Sequence, residues 1–131
     1  MPKTVKVPIR AKALMQDASF AAPLVPISKE TRRYREMVPQ VEKRDGRLVA
    51  FDFDKISAAI WKAMAAAADG DQEDANLIAH QVAGELGRFA KKYKSFLPTV
   101  EGIQDSVEKY LILNDYVKTA KSYILYRDKR A

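Results

Sequence analysis

The dipeptide Asp45-Gly46 constrains this chain more than any other pair of residues. It stands between two short runs containing the β-branched residues Val41 and Val49. A turn that matches the twist of paired strands needs positive φ, which glycine adopts without penalty. A hairpin is therefore expected, with strands over about residues 40–44 and 47–51. Immediately after it the apolar period changes from 2 to 3.6. Ile56, Ile60, Ala63, Met64 and Ala67 share one stripe, with Asp52 or Asp54 available to cap the helix. Two isolated strands are marginal in water, so the hairpin must lean on the helices that follow. Lys43, Arg44 and Arg47 crowd this small hairpin with cations, and Lys55 follows about one turn into the helix. Taken alone, such a cluster is most simply a solvated face.

Three further helices follow the first. Asp69-Gly70 ends it, and Asp71 and Asp74 open a second helix with carboxylates at the positive end of its dipole. The second stripe is read as Leu77, Ile78, Val82, Leu86 and Phe89. His80 falls off that stripe and has no partner at ligand spacing, so it is assigned a structural role. Gly84 and Gly87 mark close packing or an early helix end. Thr99 caps a third helix that buries Val100, Ile103, Val107, Tyr110 and Leu111. After Asn114-Asp115 a last helix turns Val117, Ala120, Tyr123, Ile124 and Arg127 inward. The expected fold is mainly α: a four-helix bundle capped by a small β-hairpin.

Charge divides the chain. Residues 1–38 hold eight Lys or Arg against three acids, so nearly all of the net charge of +6 lies there. Pro2, Pro8, Pro23 and Pro26 interrupt that stretch, and no period persists in it. Residues 1–37 are accordingly read as a basic, irregular, flexible leader and residues 38–131 as the compact domain. Arg32-Arg33-Tyr34-Arg35 interleaves an aromatic with cations, a weak signal for nucleic acid and more simply a solvated linker. With no cysteine and a single histidine, disulfides, thiolate metal sites and all-nitrogen zinc sites are excluded. No apolar run approaches the ~20 residues that span a bilayer, and the N-terminus lacks a signal-peptide core. A protein with no membrane segment, located in the cytoplasm, is expected.

The order Val41, Lys43, Arg44, Asp45, Gly46, then Asp52, Lys55 and Ile56, resembles the opening signature of the ATP-cone family, and Tyr123-Ile124-Leu125-Tyr126-Arg127 resembles its closing motif. The resemblance covers about residues 38–130. It implies an allosteric module in which ATP or dATP lies under the hairpin against the bundle. By that resemblance Val41 and Ile56 flank the adenine, Asp52 accepts from its amino group, and Lys43 and Arg44 contact the phosphates. Lys55 is the lysine of the family's Lys-Ile pair, Thr99 and Lys129 are further phosphate candidates, and Gln104 falls near the position that senses the ribose. Val49 departs from the pattern, since some members place a glutamate there.

The chain has no Gly-x-x-x-x-Gly-Lys-Ser/Thr loop, so side-chain charges must hold the phosphates where a backbone cradle would otherwise do so. No catalytic residue and no protein metal site is assigned. A magnesium ion accompanying the triphosphate would be held by phosphate oxygens and water. The resemblance implies a regulatory domain, not an enzyme, that controls ribonucleotide reductase through nucleotide-dependent oligomerisation. The partner is the catalytic subunit or the remainder of the same chain. Two alternatives stand beside it. One is a nucleotide-responsive transcriptional regulator without the zinc ribbon such proteins carry. The other is a degenerate cone serving only for protein contact.

Overall fold

A computed structural model describes residues 27–130. Helix α1 (Lys29–Met37) leads into strands β1 (Gln40–Glu42) and β2 (Leu48–Ala50), followed by α2 (Phe53–Ala67), α3 (Gln72–Lys92), α4 (Val100–Leu113) and α5 (Val117–Arg130). The mainly helical fold with a small antiparallel hairpin is as expected. The strands pair Gln40 with Ala50, Val41 with Val49 and Glu42 with Leu48. They are shorter than the sequence suggested because the turn takes more residues. Gly46 N–H donates to the Lys43 carbonyl and Lys43 N–H to the Arg47 carbonyl, each at 2.8 Å. Only Gly46 in this turn has positive φ, +89°, which is the pattern of a tight turn closed by a bulge. A third extended segment meets the hairpin: Glu42 N–H donates to the Pro98 carbonyl at 2.9 Å, so Thr99 bridges to β1.

Helix ends follow local chemistry. Asp52, not Asp54, caps α2, its Oδ1 accepting from Asp54 and Lys55 N–H. Asp71 and Asp74 form a reciprocal capping box on α3, satisfying donors the helix leaves open. Thr99 Oγ1 accepts from Gly102 N–H at 3.0 Å and caps α4. Between α2 and α3, Asp69 reaches the start of α5: its Oδ2 accepts from Thr119 N–H at 3.2 Å and from Thr119 Oγ1–H at 3.1 Å. α5 therefore runs back along α2, with its C-terminal end towards the hairpin side.

The core is built from Phe51, Phe53, Ile60, Met64, Ile78, Val82, Val107, Leu111, Ala120 and Tyr123. Burial of the last lifts the Tyr123 phenol to about 12. On α3 the inward face is Ala75, Ile78, Ala79, Val82, Ala83, Leu86 and Gly87. Leu77 and Phe89, expected inside, lie at the surface, because small side chains bring α3 closer to its neighbours than large ones would. Val117 and Ile124 are likewise exposed; Ala120 and Tyr123 are buried as expected, and Thr119 joins them on the inward face of α5.

The largest departure concerns residues 29–37. Sequence placed them in an irregular leader; they form α1, with Ser28 as its cap and Thr31 and Tyr34 buried. Residues 1–26, the rest of the expected leader, lie outside the described residues. Nine residues do not sustain a helix alone in water, so α1 stands on its contacts. Tyr34 stacks on Phe53 with ring centroids 5.4 Å apart. Its hydroxyl lies 2.7 Å from His80 Nδ1 on α3 and accepts from Arg33. A Cβ on Gly87 would meet Met37 Sδ at 3.2 Å, so α1 and α3 approach closely there and the end of the Met37 side chain would have to shift to admit one.

His80 thus acquires its structural role from α1. Burial, and secondarily the Arg33 charge, hold its pKa below the ordinary 6.5, while Glu30 opposes them. A base whose folded pKa is lowered binds fewer protons folded than unfolded, so stability rises with pH across that window. The stabilisation is complete above about 6.5 and declines as pH falls through and below it. Denaturation midpoints should therefore drop from neutral pH toward pH 5.5 (about the acid side of the histidine range), and His80→Gln should flatten that drop. An identical slope in the variant would remove His80 as its source.

Candidate functional site

Four elements converge at the hairpin end of the bundle: the hairpin, the start of α2, the start of α4 and the end of α5. Two contacts of one residue join three of them, the hairpin, α4 and α5, while α2 follows directly from the second strand. Glu101, in the first turn of α4, accepts from Arg44 Nε through Oε2 at 2.8 Å, and its main-chain carbonyl accepts from Arg127 Nη2 of α5 at 3.4 Å. Arg127 is itself held by Asp105 at 2.8 Å and Glu108 at 2.5 Å.

Around this junction the residues singled out by sequence take definite places. Val41 is buried opposite Val49 on the hairpin. Asp52 follows the second strand, its Oδ1 engaged as a helix cap and its Oδ2 without a hydrogen bond among the described residues. Lys55 and Ile56 lie in the first turn of α2, the former exposed and the latter packed on the core. Thr99 adjoins β1 through the bridge to Glu42. Gln104 lies one turn into α4, and its Oε1 is buried with no hydrogen-bond partner among the described residues. Lys43 and Arg44 border the hairpin turn, one half-buried and the other exposed. Lys129 lies in the last turn of α5 and stands apart from the rest. It lines a groove of about 600 Å³ between α2 and α5, with Ala59, Ala63, Ala66, Leu125 and Tyr126, to which no other residue of the expected set contributes.

The cations of this region differ in what occupies them. Arg47 is held within the hairpin, its Nε 2.8 Å from Asp45 Oδ2, and Asp45 Oδ1 accepts its N–H at 3.1 Å. Those bonds, the backbone one first, hold the Asp45 carboxyl below its usual range. Arg44 is engaged by Glu101, whose carboxyl is lowered chiefly by that hydrogen bond. The pair is solvent-exposed, with 61% of the arginine side chain accessible, so water and salt compete with it. Lys43, Lys55 and Lys129 have no ion pair among the described residues. A polyanion reaching the hairpin and the start of α2 meets two lysines, Lys43 and Lys55, without a carboxylate partner among the described residues, and one arginine held by an exchangeable one.

Sequence reasoning missed Glu101 as a member of this region, and named Arg127 in the closing motif and on the inward face of the last helix without its contact to Glu101. Glu101 could be read only as an acid in the first turn of a helix; its engagement of Arg44 spans 57 residues. Among the described residues, no group of three His, Cys, Asp or Glu is arranged to hold a metal ion, and no helix is long and apolar enough to cross a membrane.

Residues 39–131 match the family profile described as the ATP cone domain. Similar curated proteins include the vitamin B12-dependent ribonucleoside-diphosphate reductase of Thermoplasma acidophilum, 41% identical over 99 residues, covering 72% of this chain and 12% of that protein. The ribonucleoside-diphosphate reductase subunit alpha of Chlamydia muridarum is 36% identical over 98 residues, covering 70% of this chain and 9% of that protein. The anaerobic ribonucleoside-triphosphate reductase of Salmonella typhimurium is 32% identical over 94 residues, covering 72% and 12%. The chain thus spans about an eighth or less of the length of these relatives.

Proposed function

Since this chain belongs to the ATP-cone family of nucleotide-binding regulatory domains, we propose that it is a cytoplasmic allosteric sensor of ATP and dATP. It controls a ribonucleotide reductase, carried either in the same polypeptide or as a partner catalytic subunit. The observation that supports this reading best is the junction at Glu101, where an exchangeable Arg44, with Lys43 and Lys55 free of ion pairs among the described residues, flanks a hairpin that meets two helix starts. The base lies between Val41 and Ile56, Asp52 Oδ2 accepts from the adenine amino group, and Lys43, Arg44, Lys55, Thr99 and Lys129 serve the phosphates. Gln104 fits the ribose: a buried acceptor without a donor is costly, and a sugar hydroxyl would supply one. A magnesium ion comes with the triphosphate, coordinated by phosphate and water.

Allostery needs differential affinity for two states. When phosphates take Arg44 from Glu101, the hairpin loses one tie to α4, and the surface offered to another copy or to the reductase changes. Titration calorimetry should give heat with ATP and dATP, and far weaker binding with AMP, which lacks the outer phosphates. Light scattering with each nucleotide, alone and with the reductase catalytic subunit, should then give different association states, dATP driving the inhibited assembly. Equal affinity for AMP and ATP would defeat the phosphate assignment. Absence of heat with either nucleotide would leave a degenerate cone used for protein contact.

A further inference from the structure

The helix α1 lies before residue 39, where the family match begins, yet besides the Tyr34–His80 contact it makes polar contacts on either side of Asp52. Arg35 Nε donates to the Phe51 carbonyl at 3.0 Å. Thr31, 1% exposed, donates through Oγ1–H to Asp54 Oδ2 at 3.0 Å and accepts from Asp54 N–H at 3.3 Å. Tyr34 covers Phe53. One helix therefore grips residues 51, 53 and 54, the corner where β2 turns into α2. The same helix continues through Val38 and Pro39 into β1, and Phe51 N–H donates to the Pro39 carbonyl at 3.1 Å.

We infer that α1 is a positioning helix coupled to the nucleotide site: its docking sets the Phe51–Asp54 corner, and occupancy of the site strengthens its docking in turn. The inference rests on the reading of this region as a nucleotide site. The physical reason is that both events order the same corner. Asp52 is the residue between the two grips, and Lys55 N–H bonds to its carboxylate. A ligand that binds an already ordered corner has less conformational entropy to remove, and linkage makes the effect mutual. α1 is well suited to such coupling, because a nine-residue helix has little stability of its own and its docking equilibrium is easily moved.

The test uses the full chain. Amide hydrogen exchange across residues 29–37 should slow at an ATP concentration just sufficient to saturate the wild type, and Lys43→Ala, assayed at the same concentration, should reduce the slowing. Thr31→Val, which keeps volume but loses both bonds to Asp54, should raise the ATP dissociation constant about 5-fold or more, with the stacking of Tyr34 on Phe53 keeping the domain folded. Arg35→Gln should act in the same direction. Wild-type protein that binds ATP while exchange in 29–37 is unchanged, or Thr31→Val with unaltered affinity, overturns the coupling. Wild-type protein that binds no ATP defeats instead the nucleotide reading on which it stands.

Discussion

Phe53→Ala should destabilise the domain by about 3–5 kcal/mol, the usual cost of removing a fully buried aromatic ring. Phe53 is 2% exposed at the first position of α2. Its ring joins a cluster drawn from three helices, with its centroid 5.4 Å from Tyr34 of α1 and 4.6 Å from His80 of α3. Alanine would leave a cavity and remove the surface on which Tyr34 lies, adding the loss of ring contacts to the loss of buried area. The site cannot collapse readily, because Tyr34 is tied to His80 and Arg33 and the Phe51 carbonyl to Arg35. Chemical denaturation followed by circular dichroism would measure the change. A shift below about 0.5 kcal/mol, the scale of a surface substitution, would mean that α1 does not seal this corner in solution.

What could be read from sequence was whatever is decided within a few residues. The Asp45-Gly46 turn, the Asp71 and Asp74 capping box and the Thr99 cap are short-range effects, and each stands where the residues indicated. α1 was not legible for the opposite reason. Its inward face is only Thr31 and Tyr34, set among charged residues, and a two-residue stripe in a nine-residue segment has no measurable period. Its warrant is Phe53 and His80, the latter 46 residues away. Gly87 was suggestive, since it pointed to close packing, but nothing local named Met37 as the neighbour. Leu77 and Phe89 were misplaced because large apolar residues outrank alanine in a pattern, whereas a close helix contact selects alanine.

The candidate site divides in the same way. The hairpin and the start of α2 are one continuous segment, so Val41, Lys43, Arg44, Asp52, Lys55 and Ile56 could be associated by order alone. Thr99 joins them through a backbone bridge. Glu101 could not be foreseen, because a carboxylate beside expected phosphate ligands looks adverse until its partner is visible. The partner gives it a role: in the absence of a polyanion it occupies Arg44 and keeps a cation from standing unpaired beside Lys43.

Lys43→Ala and Arg44→Ala should each weaken ATP by about 1.5–3 kcal/mol, the scale of a charge-assisted hydrogen bond, or roughly 10- to 150-fold in dissociation constant. The two should differ in one respect. Lys43 has no ion pair to surrender among the described residues, whereas Arg44 must first leave Glu101. If the phosphates and Glu101 compete for one guanidinium, Glu101→Gln should tighten ATP, by freeing Arg44 and removing a negative charge near the polyanion, and Arg44→Ala should erase that gain. The exposed pair is also screened by salt, so part of the penalty on Arg44 should fade as ionic strength rises, while attraction of the triphosphate weakens throughout. A double-mutant cycle on Arg44 and Glu101, read by calorimetry with ATP, separates the terms. Glu101→Gln weakening ATP as much as Arg44→Ala would reverse the assignment, making the pair a strut that holds the hairpin in its binding position and leaving Lys43 as the main phosphate contact on the hairpin.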